Sequence, residues 1–141
     1  MYRERYESMV RLAYLLTSST AVAEDLVQDV FTRVYRRWDK IDGPAEYVRA
    51  AVVNACRFHH RRRFVERRHP PPAEAWEPAP AEPDQMWREL ARLSPRRRAA
   101  LVLRFYEDLP VAEVARVLGC RQLTAKSLIH RGLTQLREGL E

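Results

Sequence analysis

A run of PPPAEAWEPAPAEP from Pro70 to Pro83 holds six of the nine prolines in the chain, and no other feature restricts the fold as much. Proline lacks the amide hydrogen that a helix interior needs and fixes φ, so the run ends any helix that enters it and favours extended polyproline geometry. The chain is therefore expected to build two small units on either side of a connector. Charge divides at the same place. Residues 1 to 65 carry 12 basic and 8 acidic groups, residues 66 to 93 carry 4 and 6, and residues 94 to 141 carry 9 and 5, so two basic units flank a net-acidic joint.

Both flanks read as helix, with no strand alternation or hairpin signal and no internal repeat. Tyr6, Met9, Val10, Ala13 and Leu16 recur at three- and four-residue steps and predict a first helix. Ser19 or Thr20 can cap a second, with Glu24 and Asp25 near its positive end, and Leu26, Val30, Phe31 and Val34 continue it toward Trp38. Asp42, Gly43 and Pro44 break that helix and start a third, expected from about Ala45 to Arg63. In the C-terminal flank, Ser94 followed by Pro95 forms a cap with proline at the first helical position. Leu101, Val102, Phe105 and Tyr106 then give an apolar stripe. Pro110 opens a further helix, Gly119 ends it, and a last helix to about Glu138 places Ala125, Ile129, Leu133 and Leu136 on one face. The expectation is an all-α chain: a three-helix unit over residues 1–65, a Pro-rich linker over 66–85 and a second helical unit over 86–141.

With 141 residues, 46% of them hydrophobic, there is material for a core, and a net charge of +6 favours a polyanionic partner. Lysine occurs only at Lys40 and Lys126, so the positive charge is nearly all arginine. Arginine suits planar pairing with phosphate or guanine edges, although a GC-rich genome gives the same bias. The two cysteines, the absence of a secretory leader and the absence of a long apolar run suit a reduced cytoplasm without membrane insertion. Cys56, His59 and His60 lack a second ligand pair at zinc-site spacing, so no metal is expected. No Gly-rich phosphate loop, nucleophile elbow or paired-carboxylate site is present, and His59, His60, His69 and His130 have no recognisable partners for acid-base work. Neither catalytic activity nor a cofactor is expected.

The stretch VAEVARVLGCRQLTAKSLIHRGL, Val111 to Leu133, has the layout of a helix-turn-helix. Two helices that cross at a short turn need a small residue at the crossing and a residue tolerant of positive φ in the turn, places filled by Ala115 and Gly119. Ala125 and Ile129 then point inward, leaving Gln122, Lys126, Ser127, His130 and Arg131 outward as donors for phosphates and base edges. A plain three-helix bundle with a glycine turn has the same spacing, so this stretch alone leaves both readings open.

Taken in order, three further blocks resemble the extracytoplasmic-function class of bacterial RNA polymerase sigma factors over essentially the whole chain. AEDLVQDVFTRVYRRW at 23 to 38 is similar to the polymerase-binding and early minus-10 segment of region two. YVRAAVVNACRFHHRRR at 47 to 63 resembles the helix after the minus-10 loop, and LSPRRRAALVLRFYEDLPVAEVARVLG at 93 to 119 the start of region four. The resemblance implies a transcription initiation factor that binds core RNA polymerase, directs it to minus-35/minus-10 promoters and stabilises opening.

By position, the resemblance assigns Asp25, Gln28, Asp29 and Phe31 to the face that docks on the clamp helices of the largest polymerase subunit, with Phe31 shared with the core. The break from Asp39 to Glu46 corresponds to the loop that captures a flipped base, and Asn54 matches a residue of the following helix. Trp38, Tyr47, Arg49, Asn54, Arg57 and Arg61 are the candidates for minus-10 contact, where aromatics stack on bases and arginines hold phosphates. Trp38 and Tyr47 serve equally well as core aromatics. Thr124, Lys126, Ser127, His130 and Arg131 match positions that meet the minus-35 element, and Gln122 joins them.

The sequence departs from the family at the turn into this last helix. A Pro-x-Gly-Thr-Val run is usual there, whereas this chain has Arg121, Gln122, Leu123, Thr124 and Ala125. Leu123 argues against a required positive φ, Arg121 or Gln122 gains access to the DNA backbone, and Leu128 stands where arginine is common. Leu128 offers contact with a thymine methyl or cover for the domain edge. Further partners implied are the polymerase flap region and an anti-sigma factor clamping both units, and the linker is either a path through the enzyme or a plain spacer. The sequence closes at Glu141 after the last helix, so no appended C-terminal sensory domain is expected. Two other readings stay open: a stand-alone helix-turn-helix regulator with an N-terminal dimerisation or sensing unit, and a helical adaptor without a nucleic-acid role.

Overall fold

A computed structural model describes residues 2–66 and 85–141. They form helices α1 (Tyr2–Thr17), α2 (Thr20–Tyr35), α3 (Pro44–Glu66), α4 (Gln85–Arg92), α5 (Pro95–Leu101), α6 (Val111–Leu118) and α7 (Gln122–Leu140), with no strand among the described residues. The chain divides into two compact units, Met1–His59 and His60–Glu141. Apart from its end residues Glu66 and Gln85, the expected linker lies outside the described residues.

In the first unit α1 and α2 pack together across a two-residue link, Ser18 and Ser19, which is short enough to make them antiparallel neighbours. Ser18 takes φ 62° and ends α1, and Ser19 caps α2, its hydroxyl accepting from the Val22 amide at 3.1 Å. Met9, Leu12, Ala13 and Leu16 of α1 meet Ala23, Val27, Val30, Phe31 and Val34 of α2, while α3 contributes Val48, Val52, Val53 and Cys56. Each large apolar side chain so buried contributes about 1.5–3 kcal/mol by leaving water. Tyr6 and Phe31 meet edge to face with ring centroids 5.7 Å apart, joining α1 to α2.

Two local expectations change here. Because α2 starts at Thr20, Glu24 and Asp25 fall beyond its first turn, where the end charge of the helix has faded, so their position is not one of capping. Proline at the start extends α3 from the expected Ala45 back to Pro44, and its far end reaches Glu66 rather than Arg63.

The second unit is organised around α7, which packs against α4, α5 and α6. Ser94 caps α5, its hydroxyl accepting from the Arg97 amide at 3.3 Å with Pro95 in the first turn. Ala99, Ala100, Leu101, Val102 and Leu103 are buried, as are Val114, Ala115, Val117 and Leu118 of α6 and Ala125 and Ile129 of α7. Leu133 and Leu136 are only half-buried, and Gly132 is buried with Ala125 and Ile129 on the inner face of α7. A Cβ on Gly132 would lie 3.1 Å from Leu101 Cγ and Cδ1, so the absence of a side chain lets α5 and α7 approach. Arg98, 5% exposed, donates from Nε to the Leu90 carbonyl in the last turn of α4 at 3.1 Å.

The apolar stripe expected after α5 is corrected by a π turn, Val102–Tyr106. The Glu107 amide donates to the Val102 carbonyl, five residues back, at 3.0 Å. One extra residue in a turn rotates everything beyond it by about 100°. Leu103, at the start of the turn and four residues after buried Ala99, stays in the core, while Phe105 and Tyr106 at its end turn outward at 56% and 48% exposed.

Candidate nucleic-acid interface

The turn between α6 and α7 is built by Gly119, the residue at φ 67° after the last turn of α6. The Cys120 amide donates to the Ala115 carbonyl at 3.0 Å and the Gly119 amide to that of Arg116 at 3.2 Å, satisfying two carbonyls that the helix end would leave bare. Arg121 follows in extended conformation, φ −73° and ψ 155°, and α7 starts at Gln122. The unusual Gln122-Leu123-Thr124 sequence is therefore the first turn of the helix, with no left-handed residue required in it.

Clamped on its inner side, α7 leaves one face to solvent. By helical spacing, Lys126, Ser127, His130 and Arg131 all lie within about 80° of Leu123, and all four are exposed. Thr124 is half-buried at one edge of this face, while Gln122 is exposed at the helix start toward the other. The structure thus brings five of the six predicted minus-35 residues onto or beside one donor-rich surface, with Gln122 at its margin. Leu128 is half-buried. Leu123, by contrast, is 77% exposed in the middle of the polar face.

On α3 the predicted minus-10 residues divide. Tyr47, Asn54, Arg57 and Arg61 fall within about 80° of arc, with Tyr47, Asn54 and Arg61 exposed and Arg57 half-buried. Arg49 is half-buried on the opposite side, in the arc of Val52, Val53 and Cys56. Trp38 is exposed in a 3₁₀ turn, Trp38–Lys40, within the connector from α2 to α3, and Gly43, at φ 59°, precedes the new helix. The expected loop over residues 39–46 is thus shorter, since Pro44 to Glu46 already belong to α3. Sequence reasoning missed Phe58, 62% exposed on the same face as Asn54 and Arg61. Its signal was available: position 58 is four residues after Asn54 and three before Arg61.

On α2, Asp25, Gln28 and Asp29 are exposed and share one face, and Asp29 pairs with Arg33 at 3.0 Å on the surface. Phe31 is buried, so it shapes this helix from inside and offers no surface. The outward aromatic pair Phe105 and Tyr106 of the second unit was also missed; the Arg104 guanidinium lies 5.5 Å from the Phe105 ring centroid. Among the described residues no three metal-ligating side chains gather, and no helix is long and apolar enough to cross a membrane.

The chain has relatives among known proteins. Residues 1–64 match the family model for Sigma-70 region 2, and residues 84–136 that for Sigma-70 region 4. The chain is 32% identical to the RNA polymerase sigma-E factor of Streptomyces avermitilis over 99% of its own length and 82% of the relative's. It is 34% identical to the ECF RNA polymerase sigma factor SigE of Mycolicibacterium smegmatis, over 99% of this chain and 60% of that one. In fold it superposes on the sigma factor RpoE of Bartonella quintana, solved in complex with the anti-sigma factor NepR, with TM-score 0.78, 24% identity and coverage of 96% and 91% of the two chains. The chain belongs to the sigma-70 family of RNA polymerase sigma factors, in its extracytoplasmic-function class.

Proposed function

We propose that this protein directs core RNA polymerase to two-part promoters and stabilises their opening, the polymerase supplying all of the chemistry. The observation that carries the reading is the presence of regions 2 and 4 in order on one chain, each with an exposed polar helix face of its own. Asp25, Gln28 and Asp29 form an acidic, hydrogen-bonding surface suited to basic clamp helices of the largest subunit. Trp38, Tyr47 and Phe58 expose aromatic surface near Asn54, Arg57 and Arg61 in chain or on the α3 face. Aromatics beside arginines suit single-stranded DNA, because every base has a face on which to stack and a phosphate to pair. Lys126, Ser127, His130 and Arg131 place donors where the second helix of a helix-turn-helix meets the major groove.

Phe105 and Tyr106 give region four an exposed apolar patch for contact with the polymerase flap region. An anti-sigma factor that covered the α2 face would hold the protein away from polymerase. The test is run-off transcription on a genomic promoter library with purified core enzyme. Promoter-specific transcripts that require both components are expected. Specific duplex binding by the protein alone, with no dependence on polymerase, would instead mark a stand-alone regulator.

A further inference from the structure

Of the two leucines by which α7 departs from its family, only one faces outward. Leu128 is half-buried, whereas Leu123 is 77% exposed in the first turn of α7. Single exposed leucines are ordinary on protein surfaces, so exposure alone says little. Position says more: Lys126 and Ser127 follow at three and four residues, and His130 at seven, so the side chain stands among donors on one helix face. The N-terminal residues of the second helix are those that reach base edges in a helix-turn-helix. Leucine can neither donate nor accept a hydrogen bond, and the one apolar group on a base edge in the major groove is the C5 methyl of thymine.

We propose that Leu123 is a specificity-determining residue of the minus-35 reader, selecting a thymine by packing on its methyl group. The inference rests on the proposed promoter-directing role. Lys126, Ser127, His130 and Arg131 fix register by hydrogen bonds and phosphate contacts, and Leu123 adds one methyl-dependent base choice. Burial of a single methyl against the leucine predicts about a fourfold preference for thymine over uracil, which differs only by that methyl.

The experiment uses holoenzyme assembled from the full chain and core polymerase on a promoter recovered by run-off transcription, with each minus-35 thymine of either strand replaced singly by uracil. At one position the replacement is expected to weaken binding by about fourfold, and L123A should bind thymine and uracil equally there. Leu128→Ala should keep the discrimination. L123Q, whose side chain is equally exposed, should abolish it with unchanged circular dichroism, which separates a lost contact from a lost fold. A promoter with no methyl-sensitive minus-35 position, or an L123A protein that still discriminates, overturns the inference. Absence of any promoter-dependent transcript with intact thymines overturns the promoter-directing reading instead.

Discussion

Replacing Gly119 with alanine isolates the cost of the turn that sets α7 on α6. An ideal Cβ at this position meets no atom within 4 Å, so the penalty is purely that of holding an L-residue at φ 67°. The left-handed conformation costs an ordinary residue about 1–2 kcal/mol. Alanine also stiffens the unfolded chain, which returns about 0.4–1 kcal/mol. A net loss of about 1 kcal/mol follows, and Gly119→Asn should lose less, since asparagine tolerates this region better. The local probe is hydrogen exchange at the Cys120 amide, which is bonded to the Ala115 carbonyl across the turn. Its exchange should accelerate about fivefold in the alanine variant. For a unit of this size the unfolding midpoint should fall by about 4–8 °C. An unchanged exchange rate would refute the assignment of strain to this residue, and a loss above about 3 kcal/mol would mean that packing rather than backbone conformation is at stake.

Arg98→Met keeps much of the stem but removes the donor to the Leu90 carbonyl, and denaturant unfolding should show a loss of about 1.5–3 kcal/mol. Gly132→Val places a branched side chain where a Cβ already approaches Leu101 at 3.1 Å; overpacking should cost about 1–3 kcal/mol, measured by thermal unfolding. Asp25→Arg combined with Asp29→Arg should lower core polymerase affinity by about tenfold or more while far-ultraviolet circular dichroism is retained. Unaltered affinity in that variant would remove α2 as the docking face.

Element boundaries set by backbone chemistry were readable from the sequence. Ser19, Pro44, Ser94, Pro95 and Gly119 act through their own hydroxyls, rings or missing Cβ, so their effect needs no knowledge of neighbours. Faces were less readable wherever helical phase shifted or packing chose between residues. The π turn at Val102–Tyr106 breaks the 3.6-residue count, so Phe105 and Tyr106 looked like part of an inward stripe. Nothing in the sequence singles out Gly132, whose role appears only in its nearness to Leu101. Among site residues, the outward set of α7 followed from the inward run of Ala125 and Ile129. Arg49 was grouped with Asn54 by residue type, although helical phase puts it on the other side of α3.

The clamping of α7 by three other helices has an evolutionary consequence. Residues that hold the unit together and the exposed residues proposed to meet DNA occupy opposite sides of the same helix. Substitutions on the outer side carry little penalty in folding, since surface changes away from special features stay within about 0.5 kcal/mol. Promoter choice can thus diverge among paralogues one side chain at a time, without the compensating core mutations that a shared surface would demand.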